Sequence, residues 1–183
     1  MQIESHFEIP VPLAAAWPIL MNVPETAACF PGASMIEQIS ADQYKGRVTV
    51  KLGPLTMIFS GNLCIENRDD AAHSATIKGN WTETKGRGNA NTVTSFALQR
   101  QGEGTRVTLH SDLQLAGQVA QYGRGVGMVS AISAQLTATF AENLRARIQA
   151  AETGGTAPPE PQTASEISGL TLIAKALGNR LKR

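Results

Sequence analysis

Three histidines, two cysteines and a scatter of carboxylates are the residues here that could hold a proton, a metal or a nucleophile. Their spacing decides whether they can act together. His6 alternates with Glu4 and Glu8 on one face of a strand pattern whose other face carries Ile3, Phe7 and Ile9. His110 shares a face with Arg106, Thr108 and Asp112, opposite Val107, Leu109 and Leu113, and His73 adjoins a 67–72 turn. Period-two alternation therefore sends all three toward water. Cys64 lies with Ser60, Asn62 and Glu66, opposite Met57, Phe59, Leu63 and Ile65, and is expected to point outward. Cys29 is a lone cysteine in an apolar segment and reads as packing. The two have no metal spacing and form no disulfide framework. No paired carboxylates fall on an apolar face, so the residues predict no catalytic constellation, no metal centre and no cofactor. The remaining motif is Tyr122-Gly123-Arg124-Gly125-Val126-Gly127. Glycine-rich segments can cradle phosphate ahead of a helix, but this one lacks the strand, turn, helix and later acid of a dinucleotide fingerprint. Gly123, Gly125 and Gly127 read instead as a flexible gate at a cavity mouth.

The elements around these residues are strongly patterned. Gln2–Ile9 alternates as a half-buried strand. Pro10 and Pro12 break it, and two short helices are expected over 13–21 and 24–30. Six strands come next, near 34–40, 43–52, 55–66, 72–82, 88–99 and 105–115, separated by turn-forming residues. Spacings near a dozen residues without intervening helices predict an antiparallel meander. Gly117 to Ala151 then reads as one helix of roughly 50 Å at 1.5 Å per residue. Its stripe is Val119, Tyr122, Val126, Val129, Ile132 or Ser133, Leu136, Phe140, Leu144 and Ile148. The only large apolar surface for that stripe to cover is the preceding sheet. The fold class is thus α+β, a curved antiparallel sheet of about seven strands wrapped on a long C-terminal helix, with two short helices after the first strand. The helix carries many small residues, which leave space or allow close approach. The expected apolar cavity is lined by Phe59, Leu63, Trp81, Phe96, Tyr122, Val126, Ser130 and Ser133; a filled core is the plain alternative.

The chain of 183 residues carries a net charge of +1, and nothing in those totals points to nucleic acid. Its distribution is uneven. Residues 165–183 hold Lys175, Arg180, Lys182 and Arg183 against Glu166, which is +3, so the other 164 residues carry −2. Three regions are expected: 1–151 as the ligand-binding domain, 152–164 as a Gly/Pro-containing linker, and 165–183 as a basic amphipathic tail helix. In the tail Ile167, Leu170, Ile173, Leu177 and Leu181 share one side, flanked by the four cations. That combination suits a membrane surface or a partner; docking on its own domain is the alternative. The N-terminus shows no basic and apolar leader pattern, and no apolar run approaches 18 residues. The expected location is cytoplasmic, peripherally associated with the inner face of the cell membrane.

Particular motifs carry a resemblance. Phe7 with Pro10 and Trp17, Cys29-Phe30-Pro31-Gly32-Ala33, Tyr44-Lys45-Gly46, Val50-Lys51-Leu52-Gly53-Pro54, Phe59-Ser60-Gly61, Gly86-Arg87-Gly88, Gly117 and Tyr122-Gly123-Arg124-Gly125 together resemble the CoxG-like family of carbon monoxide dehydrogenase subunits. That family belongs to the START/Bet v1-like superfamily. The resemblance covers roughly residues 1–150 and implies a helix-grip fold. It also implies a non-enzymatic accessory role beside a molybdenum hydroxylase of the carbon monoxide dehydrogenase type, with membrane recruitment of that enzyme. Such an enzyme must pass electrons to the respiratory chain, and an apolar tunnel suits the tail of a quinone-like lipophile. Two other functions stay open: an assembly or maturation factor with no ligand, and a small polyketide cyclase or aromatase-like enzyme, which would need acid/base groups inside.

Overall fold

The computed structural model describes residues 1–52, 55–123 and 126–152; of these, the side chains of Leu52, Tyr122, Gly123, Val126 and Met128 are outside the description. The chain opens with β1 (Gln2–Ile9), then α1 (Leu13–Met21) and α2 (Val23–Cys29). Strands β2 (Ala33–Gln38), β3 (Gln43–Leu52), β4 (Leu55–Asp69), β5 (Ser74–Glu83), β6 (Gly88–Gln101) and β7 (Gly104–Gly117) come next, then α3 (Val119–Gly123) and α4 (Val126–Glu152). The strands form a single antiparallel sheet in the order β1-β7-β6-β5-β4-β3-β2. This is the seven-stranded antiparallel sheet with a long terminal helix that the alternation and the order of elements predicted, and the helix-grip architecture that the resemblance implied.

Consecutive strands pair through short turns from β2 to β7, so most of the sheet is a meander. The exception is β1, which crosses to the far side and pairs with β7, placing Phe7 opposite Val107. The predicted strand ends hold closely, with two differences. Strand β4 continues to Asp69 through a register shift after Glu66, where Asn67 takes a φ of 49°. The long helix does not begin at Gly117. That residue ends β7 with a φ of 72°, which takes it out of the helical region, and helix starts only at Val119. The helical stretch is described as two pieces, on either side of residues 124–125.

Most of the apolar core gathers where α1, α2 and α4 meet β1 and β7. Ile9, Val107 and Leu144 are each 1 % exposed. Ala141, Leu144 and Ile148 bury one side of α4 at i, i+3 and i+7, the spacing of a helix face. Polar bonds fix the helix in place. Asn143 Nδ2 donates to the Cys29 carbonyl at 2.9 Å and Arg145 Nε donates to the Glu8 carbonyl at 2.8 Å. Arg147 pairs with Glu25.

Candidate functional site

Strand register arranges the concave face of the sheet into rows. One row runs Tyr44, Leu63, Gly79, Thr92, Leu113; its neighbour runs Gly46, Gly61, Trp81, Ala90, Leu115. The apolar residues of this face fall into two clusters. The first joins Phe96, Leu98, Val107 and Ile65 to Trp17 of α1 and Leu144 of α4, with Leu63 and Phe140 at its margin. The second joins Met57, Phe59, Ala90 and Val119, with Trp81, Leu113 and Leu115 at its margin. Between them the inward positions include glycine and hydroxyl-bearing residues: Gly79, Thr92, Thr94 and Ser111. Thr94 Oγ1 and Ser111 Oγ hydrogen-bond each other at 2.9 Å. Leu63, Ile77, Trp81, Thr92, Ser111 and Leu113 are only partly buried although they point inward. Among the described residues the backbone of α4 comes nearest to β1, α2 and α3, while its Phe140, Leu144 and Ile148 share the first cluster with Leu63, Ile65 and Phe96 of the central strands.

The end of the sheet beneath α1 is closed by aromatic packing. Trp17 Nε1 donates to Asp70 Oδ1 at 2.7 Å. Its ring meets His73 edge-on, centroids 5.7 Å apart, and lies 6.0 Å from Phe96. The bond from Trp17, then that from Arg68, lowers the Asp70 pKa. Against the expectation of a water-facing residue, His73 takes a φ of 50° and packs on Trp17. His6 and His110 are exposed. Cys29 is 2 % exposed and burial raises its thiol pKa, so it is a packing residue and a poor thiolate.

The opposite end is organised by Glu83. This side chain is 1 % exposed. Its carboxylate accepts from Arg87 Nη2 at 2.6 Å and from the backbone N–H groups of Lys85 and Arg87 at 2.9 and 3.2 Å. The Arg87 bond outweighs the opposing effect of burial, and the backbone donors add to it, holding the Glu83 pKa down at about 2. The same turn orders the chain beyond the sheet. Arg87 Nη2 also donates to the Thr56 carbonyl, and the Arg87 carbonyl accepts from Val119 N at 3.1 Å. A carboxylate on an apolar strand face was not among the sequence expectations. Its signal was there: Glu83 has the parity of Ile77 and Trp81, and Arg87 returns four residues later across Lys85-Gly86.

The predicted cavity residues are thus divided. Phe59 (7 % exposed) and Trp81 belong to one cluster; Phe96 (8 %) and Leu63 belong to the other. Ser133 is half-buried on α4, whereas Ser130 is exposed. Gly127 is also exposed, with open space where a Cβ would stand. Gly125 and the side chains of Tyr122, Gly123 and Val126 lie outside the described residues, as do Ile167, Leu170, Ile173, Lys175, Leu177, Arg180, Leu181, Lys182 and Arg183 of the tail. Among the described residues no helix is long and apolar enough to cross a membrane. The same residues contain no group of three or more His, Cys, Asp or Glu positioned for a metal ion.

The model of the CoxG family of carbon monoxide dehydrogenase subunits matches residues 6–149. No curated protein matches the chain. Among solved structures, a conserved protein from Geobacillus kaustophilus superposes with a TM-score of 0.71 at 18% identity, covering 84% of this chain and 97% of its own. The Zhui aromatase/cyclase from a Streptomyces species superposes with a TM-score of 0.56 at 19% identity, over 85% and 99%. A protein from Thermus thermophilus gives 0.57 at 14%, over 82% and 99%. At these identities the likeness is one of fold.

Proposed function

Because this chain belongs to the CoxG family of carbon monoxide dehydrogenase subunits, we propose that it is a non-enzymatic accessory protein of a molybdenum hydroxylase of that type. In this reading it holds a lipophilic, quinone-like molecule against its concave sheet and helps bring the enzyme to a membrane. One observation carries the ligand reading: inward-facing Leu63, Ile77, Trp81 and Leu113 remain partly exposed while α4 packs toward β1 and α2. Apolar side chains left reachable on the inner face of a sheet are the walls expected of a site for a lipophile. Tyr122, Val126, Ser130 and Ser133 would supply the helical wall, and Gly123, Gly125 and Gly127 the gate. Residues 165–183 would contact membrane or partner through the leucine and isoleucine stripe and its cations.

Glu83 argues against acid/base catalysis. It has the parity of the concave face, yet a pKa near 2 and three donors leave it ionised and occupied. A general acid or base is tuned toward the working pH instead. Organic extraction of full-length protein after native mass spectrometry tests the ligand reading. A bound mass that becomes a free lipophile on extraction is the expected result; a ligand-free protein that also refuses hydrophobic probes would reduce the role to assembly alone. For the tail, sedimentation with anionic vesicles should be lost on truncation at Thr163 and fall with added salt. Equal sedimentation of both forms would remove the tail from the proposal.

A further inference from the structure

The polar band between the two apolar clusters contains a pair of groups with no partner among the described residues. Gly79 faces Thr92 across β5 and β6, and Trp81 lies two residues further along the same face. The indole of Trp81 folds back over Gly79. A Cβ on Gly79 would stand no more than 2.6 Å from either Trp81 Nε1 or Thr92 Oγ1. Both polar atoms therefore lie within 2.6 Å of a single point, and are no further apart than twice that distance. Neighbouring Thr94 and Ser111 satisfy each other. By contrast, neither the Trp81 N–H nor the Thr92 hydroxyl is bonded to any group among the described residues, and both residues are only partly buried.

We propose that Trp81 Nε1 and Thr92 Oγ1, held over Gly79, form the head-group site of this hollow and take an acceptor oxygen on the flat head of the lipophile. The proposal rests on the ligand reading above and gives it a polar address. An indole N–H only donates, and a threonine hydroxyl donates or accepts. One carbonyl oxygen can receive both at about 2.9 Å when the donors are this close. The absent side chain at Gly79 is what lets the indole and the hydroxyl lie this close together over the strand, and the indole face offers a wall for a ring to stack on. The apolar clusters on either side would take the ring and the chain. The ligand class is therefore a carbonyl-bearing aromatic lipophile rather than a hydrocarbon or a plain acyl chain.

The test is equilibrium dialysis of full-length protein with two probes of one shape. The first is 2,3-dimethyl-1,4-naphthoquinone, whose substituted ring does not add thiols such as Cys64. The second is 2,3-dimethylnaphthalene, the same skeleton without oxygens. Wild type should favour the quinone. Trp81→Phe should weaken quinone binding roughly tenfold, the factor to which about 1.4 kcal/mol corresponds, and leave the hydrocarbon unchanged. Thr92→Val should act in the same direction with a smaller factor. Gly79→Ala, which pushes both groups aside, should reproduce the loss and decides the matter if the Trp81 variant does not fold by circular dichroism. Equal loss for both probes would make Trp81 a packing wall only, and no loss for either would put the head elsewhere; each overturns the site while leaving the hollow. Failure of wild type to bind either probe would overturn the ligand reading itself, and this site with it.

Discussion

At Glu83 a buried charge has been turned to structural use. The carboxylate closes the β5–β6 turn and, through Arg87, fixes the first residue of α3. Its pKa falls from 4.5 to about 2 on folding. The stability it contributes is therefore present above pH 4.5 and is lost as pH falls through about 2. Thermal melts from pH 7 to pH 2 should show that acid loss in wild type. Glu83→Gln, which keeps the shape and one acceptor, should melt lower at pH 7 and give a flatter acid limb. A variant with an unchanged melting temperature at pH 7 would show that the turn holds without the charge. The sequence concealed this residue for a physical reason. Alternation marks which face a side chain takes, but a charge on the apolar face looks like an end of strand until its partner is known. Thr92, Thr94 and Ser111 were hidden similarly, since threonine and serine suit either face. Trp81, Phe59 and Phe96 were legible because a large apolar side chain in a period-two pattern has one place to go.

Between α2 and β2 the chain turns at Gly32, with φ at 79°. The Gly32 carbonyl accepts from Thr49 N at 2.8 Å, and an added Cβ would strike the Thr49 carbonyl. Gly32→Ala should therefore cost about 1–3 kcal/mol by urea denaturation, from strain and from the displaced β3 backbone. A smaller change would mean that the edge of the sheet yields cheaply. Leu144→Ala, at a site 1 % exposed, should cost about 2–5 kcal/mol. If its midpoint barely moves, α4 collapses onto the gap and is less firmly held than its bonds to Cys29 and Glu8 imply. Element types and boundaries were readable here because turns such as Gly102 and Gly86 punctuate clean alternation. The start of the long helix was not. Glycine at 117 serves a helical pattern and a left-handed strand end equally well in sequence, and only its pairing with Gly88 on β6 decides.

Across the whole molecule, a strand, two helices, a meander and a helix forecast the grip, while the seat of α4 depended on residues far apart in sequence. The pairing of β1 with β7 has a consequence in time. Thr105 Oγ1 donates to the Val11 carbonyl across 94 residues, whereas β2 to β7 are joined by turns of a few residues. Closing a long loop costs more entropy than closing a hairpin, and a topology rich in distant pairings folds slowly. The ribosome thus delivers β1 first, and that strand must wait for β7 before it can pair. In a stopped-flow chevron, Val107→Ala at this seam should mainly speed unfolding and leave the folding limb almost unchanged. A slowed folding limb would place the seam in the nucleus. If it forms late, the newborn chain carries Phe7 and Ile9 uncovered through most of its synthesis, and a cell short of chaperones should lose this protein to aggregation before it loses the finished fold to heat.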